Sequence, residues 1–250
     1  MRFSRTELLA GHEGAGRLRN STVAVFGIGG VGSYALEAIA RAGVGTIVIA
    51  DFDTVELSNV NRQLIALDST IGRSKVDAAA ARLVDINPEV HVTAFNEYIS
   101  SETLEGMLNC GVEYAVDAID TLEPKIYLIQ TLLARNIPFV SCMGSAHSID
   151  PCSVEVCDIS DTKNCPHART IRRKLRECGI HKGVRCVYSS DRLKTAGKNV
   201  SEERNETMPL PREEGRRPMG TISYVPGIIG LTAAGLLLRD ILSPKGTVQK

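Results

Sequence analysis

The sequence has few aromatic residues, which make up 4% of its 250 residues, and it contains no tryptophan. Hydrophobic residues nevertheless account for 43%, chiefly Ala, Val, Ile and Leu. This composition differs from that of disordered, collagenous or disulfide-stapled chains. A chain of this length can bury a full core, so we expect a folded α/β protein.

The cysteines also lack the spacing of a structural zinc site. None of the seven cysteines forms a C-x2-C pair, which disfavours a treble-clef or ribbon site. Residues 1–9 contain no apolar run long enough for a signal peptide. We therefore expect a cytoplasmic protein with reduced thiols.

One segment, residues 219–238, has no charged side chain over 20 residues. By length alone it is sufficient to span a bilayer. Pro226 divides it, and we predict a strand over residues 221–225 followed by a helix from Pro226 to about Leu242. We favour a buried helix over a membrane span, with association at the membrane surface as the alternative.

The net charge is zero, yet the charges are unevenly distributed. Residues 1–162 carry 11 basic and 21 acidic side chains, whereas residues 163–198 carry 11 basic and 2 acidic ones. A basic stretch on an acidic body predicts salt-dependent binding of nucleic-acid phosphates, unless it pairs with that body. The candidate contacts are Arg169, Arg172, Arg173, Lys174, Arg176, Lys182 and Arg185.

Strand and helix patterns alternate along the first part of the chain. We predict strands at 22–26, 46–50, 90–95, 114–119 and 138–142, and helices at 33–42, 73–86, 101–108 and 125–135. This order is typical of a Rossmann-like, doubly wound and mostly parallel sheet. Further on we predict strands at 153–158 and 183–188, a helix at 166–178, and a mobile polar loop at 189–218. These form a C-terminal, antiparallel extension.

A glycine-rich turn follows the first predicted strand. Gly27, Gly29 and Gly32 fit the spacing G-x-G-x-x-G at the start of a helix, where backbone N–H groups favour anions. Asp51 follows the second strand, at the position where a carboxylate binds ribose hydroxyls. The pattern predicts a nucleotide site, and the absence of a Walker A sequence disfavours P-loop chemistry.

Two cations and a further carboxylate indicate which nucleotide is bound. Arg62 and Lys75 are placed to neutralise a leaving pyrophosphate, and Asp120 is placed to hold Mg2+ after a strand. A nicotinamide needs little positive charge. We therefore favour a triphosphate and keep a nicotinamide-dependent oxidoreductase as an alternative.

Six stretches of the sequence occur in the same order as in a known superfamily. They are RFSR (2–5), GIGGVG (27–32), DFD (51–53), SNVNRQ (58–63), GRSK (72–75) and DAIDT (117–121). In these stretches the chain resembles the ubiquitin-activating-enzyme-like superfamily, whose members adenylate carboxylates. The resemblance implies ATP and Mg2+ as cofactors, and a homodimer in which Arg5 reaches the partner's ATP site.

The resemblance also implies roles for individual residues. Arg62, Lys75, Asp120 and Arg5 would be catalytic, and Asp120 would bind the metal. The implied nucleotide-binding set is Gly27, Gly29, Gly30, Gly32, Asp51, Asp53, Asn59, Asn61, Arg62, Gln63, Lys75 and Asp120. We expect a single adenylating domain over residues 1–250, with a nucleotide-binding core (1–144), a basic substrate-binding extension (145–220) and a closing strand and helix (221–250).

Within the superfamily the chain is most similar to the tRNA threonylcarbamoyladenosine dehydratases. The matching stretches are SCMG (141–144), VCDIS (156–160), NCPHAR (164–169) and VYS (187–189). The resemblance implies ATP-dependent cyclisation of that tRNA nucleoside, with a cysteine desulfurase system as a further partner. The alternatives are adenylation of a sulfur-carrier protein's C-terminus and a tRNA-binding or sulfur-relay scaffold without turnover.

Several cysteines and histidines near the expected site receive no definite role. These are Cys142, Cys152, Cys157, Cys165, His147 and His167. A nucleophilic thiolate needs an activating environment, and the sequence shows none. We expect structural roles for most of them, and the acid or base of ring closure is not identified.

Overall fold

The computed structural model describes residues 2–191 and 220–243. Its strands are β1 (Thr22–Phe26), β2 (Thr46–Ala50), β3 (His91–Phe95), β4 (Tyr114–Asp117), β5 (Phe139–Cys142), β6 (Val154–Asp158) and β7 (Arg185–Ser189). They form one seven-stranded sheet in the order β3-β2-β1-β4-β5-β7-β6. Five neighbouring pairs are parallel, and β6 pairs with β7 antiparallel. The Rossmann-like sheet with an antiparallel extension is confirmed.

Helices cover both faces of this sheet. They are α1 (Ser4–Asn20), α2 (Gly32–Ala42), α3 (Lys75–Ile86), α4 (Ser101–Leu108), α5 (Leu122–Ala134), α6 (Pro166–Glu177) and α7 (Tyr224–Leu242). The local sequence determines where several of these helices begin or end. Ser74 and Ser100 cap α3 and α4 by accepting backbone N–H groups, and Gly43 ends α2 with a φ of 95°.

The core consists of two apolar layers, one on each face of the sheet. Leu36 of α2 and Ile229 of α7 pack in the first layer, together with side chains of α1 and α3. Leu104 of α4, Leu128 of α5 and Ile171 of α6 pack in the second. Burying both faces explains why the central strands are apolar without alternation.

Helix α7 is a core element. Within the described ranges it is the one helix long and apolar enough to cross a membrane, and half of its most apolar window is buried. It approaches α2 so closely that a Cβ on Gly230 would lie 2.2 Å from the carbonyl oxygen of Val31. Ile229, Ala233 and Leu237 are fully or almost fully buried. The favoured interpretation of this segment as a packed helix agrees with the structure.

The strand predicted over residues 221–225 is wrong. Helix α7 begins at Tyr224, and Val225 is buried in its first turn. Pro226 is the third helical residue, a position where the missing N–H breaks no intrahelical bond. Packing of this turn therefore overrides the β propensity of the segment.

Helix α1 has no counterpart in the prediction. Leu8 and Leu9 are 87% and 88% exposed, and Gly11 interrupts the helix with a φ of 72°. Since its apolar residues do not fall on one buried face, the helix lacks the usual periodic signal.

Two predicted boundaries shift at the carboxyl edge of the sheet. β4 ends at Asp117, so Asp120 lies in the loop before α5 and not at a strand end. Ser189 belongs to β7, and the predicted mobile loop lies outside the described residues from residue 192 onward.

Candidate active site

The glycine-rich loop between β1 and α2 lies at the carboxyl edge of the sheet. Gly27 has a φ of 87°, and a Cβ on Gly32 would lie 1.8 Å from the carbonyl oxygen of Gly27. A Cβ on Gly29, by contrast, would meet no heavy atom of the described chain within 4 Å. Gly27 and Gly32 thus shape the turn. Gly29 leaves the backbone open beside the N-terminus of α2, where an anion is stabilised.

Asp51 fixes this loop to the end of β2. Its carboxylate is buried and accepts hydrogen bonds from the backbone N of Ile28 at 2.6 Å and of Asp53 at 2.9 Å. Burial raises the pKa of Asp51, although Lys75 Nζ at 3.9 Å from Oδ1 acts in the opposite direction. Asp51 therefore lies beside the loop as expected, and its contact with ribose stays a prediction.

Lys75 is held between two carboxylates at the start of α3. Its side chain is buried, and Nζ donates to Oδ2 of Asp53 at 2.5 Å. The backbone N of Lys75 also donates to the carbonyl oxygen of Asp53 at 3.0 Å. The structure therefore brings Asp51, Asp53 and Lys75 together, with a cation close to the glycine-rich loop.

Arg62 lies on the other side of that loop. A Cβ on Gly30 would be 3.2 Å from Cγ of Arg62. The guanidinium donates to the carbonyl oxygen of Ser58 at 2.9 Å and to Oδ1 of Asn61 at 3.0 Å. Asn61 in turn donates to the carbonyl oxygen of Thr221, ahead of α7. Arg62 is half-buried, and its side chain passes beside the loop at Gly30.

Asn59 and Gln63 belong to the same crossover segment but are buried. Oδ1 of Asn59 accepts from the backbone N of Glu56 at 3.2 Å, which gives Asn59 a role in the local turn. Oε1 of Gln63 is buried with no hydrogen-bond partner among the described residues. A buried unpaired acceptor is costly, so Gln63 is suited to receive a donor from a ligand.

Asp120 is the exposed carboxylate of the loop between β4 and α5. Its carboxylate accepts a hydrogen bond from Thr121 Oγ1 at 3.3 Å. No group of three or more His, Cys, Asp or Glu side chains suited to a metal occurs in the described part of the chain. Mg2+ is commonly held by one or two carboxylates together with substrate phosphates. Asp120, in the loop at the carboxyl edge, is suited to such an arrangement, and its metal role stays a prediction.

A buried polar network includes residues on either side of Asp120 in the chain, and the sequence analysis did not single it out. Nζ of Lys125 is 2.8 Å from Oδ2 of Asp117, and both side chains are 0% exposed. Ser141 Oγ also donates to this Asp117 oxygen, at 2.6 Å. A signal was available, because Lys125 is a single cation among the apolar residues of α5.

His167 is the second residue of α6, and its ring is largely buried near this network. Its Nε2 has no hydrogen-bond partner in the described part of the chain. Burial lowers the pKa of His167 to about 4, and Lys125 adds to the effect, while Asp120 opposes it. The ring is therefore neutral at physiological pH.

Three cysteines, Cys142, Cys157 and Cys186, lie in surroundings that disfavour the thiolate. All seven are free thiols. Burial raises the pKa of Cys142 to about 12, which keeps it protonated. Burial also raises the pKa of Cys157 and, more strongly, of Cys186. His147 has a φ of 63°, and its backbone N donates to the carbonyl oxygen of Gly220 at 2.9 Å.

The predicted basic surface divides into inward and outward side chains. Arg172 donates to Ile159 and Thr162, and Arg185 forms an ion pair with Asp240 of α7, so both have structural partners. The remaining predicted contacts point toward solvent and are Arg169, Arg173, Lys174, Arg176 and Lys182. Arg173 and Lys174 have an acidic neighbour in Glu177 of the same helix.

A cavity of about 1050 Å³ lies at the other edge of the sheet. Tyr114, Phe139 and Arg185 line it at the beginnings of their strands. Ligands of doubly wound folds bind outside the carboxyl ends of the strands. We therefore place the candidate active site at the glycine-rich loop and not in this cavity.

Comparisons with known proteins agree with the observed fold. The tRNA threonylcarbamoyladenosine dehydratase of Bacillus subtilis (strain 168) is 44% identical over 240 residues, covering 96% of this chain and 94% of that protein. The crystal structure of the Escherichia coli tRNA N6-threonylcarbamoyladenosine dehydratase in complex with ATP matches with a TM-score of 0.85 and 31% identity. That match covers 96% of this chain and 93% of the other.

A more distant likeness connects the chain to adenylyltransferases. The molybdopterin-synthase adenylyltransferase of Escherichia coli (strain K12) is 34% identical over 143 residues, covering 56% of this chain and 57% of that protein. The family model described as the ThiF family matches residues 3–249. The chain belongs to the ThiF family and, within it, to the tRNA threonylcarbamoyladenosine dehydratases.

Proposed function

We propose that this chain catalyses the ATP-dependent dehydration of N6-threonylcarbamoyladenosine in tRNA, which closes the threonyl carboxylate into a ring. The observation that carries the proposal is the 44% identity to the Bacillus subtilis dehydratase along 96% of the chain. The carboxyl-edge site supports it, because a glycine-rich loop, two cations and an exposed carboxylate are the groups that carboxylate adenylation requires.

In the proposed reaction the threonyl carboxylate attacks the α-phosphorus of ATP and pyrophosphate leaves. Arg62 and Lys75 stabilise the charge that develops on the leaving group, for which Lys75 turns from Asp53 toward phosphate. A nitrogen of the same nucleoside then attacks the activated carbonyl carbon and displaces AMP. AMP retains the former carboxylate oxygen, so the nucleoside loses the elements of water. Both groups belong to one bound nucleoside, and proximity favours closure.

The tRNA-binding surface is proposed on α6. Arg169, Arg173 and Arg176 are spaced four and three residues apart, so they share one face over about 10 Å of helix. The helix begins at Pro166, next to the largely buried His167, and its arginines lead away from the site. Such a track suits contacts to the phosphate backbone near the modified nucleoside.

Further parts of the proposal concern metal, assembly and location. When bound, Mg2+ at Asp120 would offset negative charge on the phosphates. We propose a homodimer in which Arg5 enters the partner's ATP site, and a cytoplasmic enzyme whose seven free thiols suit a reducing compartment. A membrane-surface contact through α7 and a link to a cysteine desulfurase system belong to the same set of proposals.

The test incubates the protein with ATP, Mg2+ and tRNA that carries the linear nucleoside, followed by nucleoside mass spectrometry. We expect a product lighter by one water that requires ATP and is lost in Arg62→Ala. Arg19→Ala, an exposed arginine on α1, is the matched control and should keep activity. A product that forms without ATP would contradict the proposed mechanism.

The second candidate is adenylation of the C-terminus of a sulfur-carrier protein. The partial likeness to the molybdopterin-synthase adenylyltransferase favours it. It predicts ATP–pyrophosphate exchange that appears only when a carrier protein is added. Exchange of that kind, together with no change in the tRNA nucleoside, would replace the first proposal.

A further inference from the structure

Lys125 is a fully buried lysine whose ammonium group donates two hydrogen bonds and forms one ion pair. Nζ is 2.8 Å from Oδ2 of Asp117, 3.0 Å from the carbonyl oxygen of Ile119 and 2.8 Å from that of Cys142. An ammonium group has three donors and no acceptor, so three oxygens within 3.0 Å match its charge and its bonding capacity. The lysine is therefore not available to bind a substrate, and its role is to hold the neighbouring backbone and Asp117 in place.

The acceptors of Lys125 lie where two adjacent strands end at the carboxyl edge of the sheet. Asp117 ends β4 and Cys142 ends β5, so one ammonium group connects the exits of adjacent strands. Asp117 Oδ1 also accepts from the backbone N of Ile119 at 3.2 Å. The N–H and the carbonyl oxygen of Ile119 are thus both fixed, one by each member of the ion pair. The next residue in the chain is Asp120.

Stability alone does not account for this pair. Removing two charges from water is costly, and a well-packed apolar pair of similar volume is often equally stable or more so. The pair is buried only a few residues from an exposed carboxylate that a metal would use. Removing a residue that orients a metal ligand through hydrogen bonds commonly changes metal affinity or activity by about 10- to 100-fold.

We propose that Lys125, paired with Asp117, is a positioning residue that fixes the 117–120 loop so that the Asp120 carboxylate meets Mg2+ on the nucleotide. The metal role of Asp120 rests on the proposed function. The assignment to Lys125 rests on the bonds to Ile119, which leave Asp120 little freedom of backbone movement. Lys125 itself touches neither nucleotide nor tRNA.

The test uses the double variant Lys125→Met/Asp117→Asn, which removes both charges and keeps the side-chain volumes similar. The single variant Lys125→Met leaves Asp117 as an uncompensated buried charge and risks unfolding. Mn2+ binding to the protein–ATP complex is followed by electron paramagnetic resonance, and the Mg2+ requirement of cyclisation is measured in parallel. We expect Mn2+ affinity to fall about 10- to 100-fold, while metal-free ATP binding changes less than about threefold.

The matched control is Arg185→Met/Asp240→Asn, which removes an ion pair at the start of β7, away from Asp120. We expect this control to keep its Mn2+ affinity. Unchanged Mn2+ affinity in a folded Lys125→Met/Asp117→Asn variant would overturn the proposal. Failure of the wild type to cyclise tRNA would instead count against the proposed function, because Mn2+ binding to the ATP complex is measured without tRNA.

Discussion

At the scale of single residues, the buried His167 ring makes stability depend on pH. Its pKa is lowered from 6.5 to about 4. Between about pH 6.5 and about pH 4, the unfolded chain therefore binds more protons than the folded one. The free energy of unfolding therefore falls as the pH decreases toward 4. We expect His167→Leu to reduce the stability lost between about pH 7.5 and about pH 5 by about 2 kcal/mol, measured by urea denaturation.

The control for this prediction is His181→Leu, because His181 is exposed in the loop after α6. That variant removes an imidazole without removing a buried one, so the pH dependence of its stability should follow the wild type. If His167→Leu and the wild type lose stability equally on acidification, burial of the ring is not the cause.

The candidate site also shows which residues a sequence can reveal. Asp51 is detectable because it follows a strand, Lys75 because it begins a helix, and Arg62 because it belongs to the SNVNRQ stretch. The ion pair of Lys125 with Asp117 was not predicted, since it depends on a contact between β4 and α5 that no local spacing encodes. Likewise, only the packing shows that Arg172 and Arg185 are bonded internally.

At the scale of elements, α6 is expected to supply the electrostatic part of tRNA binding. Replacing Arg169, Arg173 and Arg176 together by Ala removes three cations from one exposed face. Each lost phosphate contact lowers the magnitude of the slope of log K against log salt by about 0.7 to 0.9. We expect a slope smaller by about 2 to 3 and weaker tRNA binding, measured by filter binding over a salt series.

A second triple variant tests whether tRNA affinity depends on the arginines of α6 or on the net charge of the protein. Arg19→Ala, Arg41→Ala and Arg135→Ala remove the same net charge from α1, α2 and the end of α5. This variant should keep the wild-type slope within about one unit. Equal losses in the two triple variants would assign tRNA affinity to overall charge and not to α6.

Helices and strands differ in how well their sequences indicate them. The β1 and β2 strands are continuous apolar runs, and Ser100 marks the start of α4, so these elements were predicted at their observed bounds. Helix α1 was missed because its leucines are exposed. Residues 221–225 were assigned to a strand because packing of Val225 in a helical turn is a tertiary effect.

At the scale of the whole molecule, the N-terminal segment (residues 2–5) lies at the opposite edge of the sheet from the glycine-rich loop of the same protomer. Phe3 packs against Gly43, after the last residue of α2, and Arg2 donates to the carbonyl oxygen of Ile86 at the end of α3. Both helices begin at the carboxyl edge, and α2 has 11 residues. The segment is therefore about 16 Å from the glycine-rich loop, more than an arginine side chain spans.

This separation makes the role of Arg5 testable by mixing inactive subunits. Arg5 is exposed in the first turn of α1, so a contribution to catalysis requires a second protomer. In a heterodimer of Arg5→Ala and Arg62→Ala, one site receives an intact Arg62 from one chain and an intact Arg5 from the other. Random exchange forms such heterodimers in about half of all dimers, and each restores one of two sites. We expect about a quarter of wild-type cyclisation activity in the mixture.

The control mixture combines Arg62→Ala with Lys75→Ala, because both residues lie beside the glycine-rich loop of one protomer. Every site in that mixture lacks one of the two cations, so activity should stay at background. Recovery in the first mixture alone would assign Arg5 to the partner's site. Background activity in both mixtures, after subunit exchange has been verified by native mass spectrometry, would exclude the shared site and leave Arg5 as a surface residue of α1.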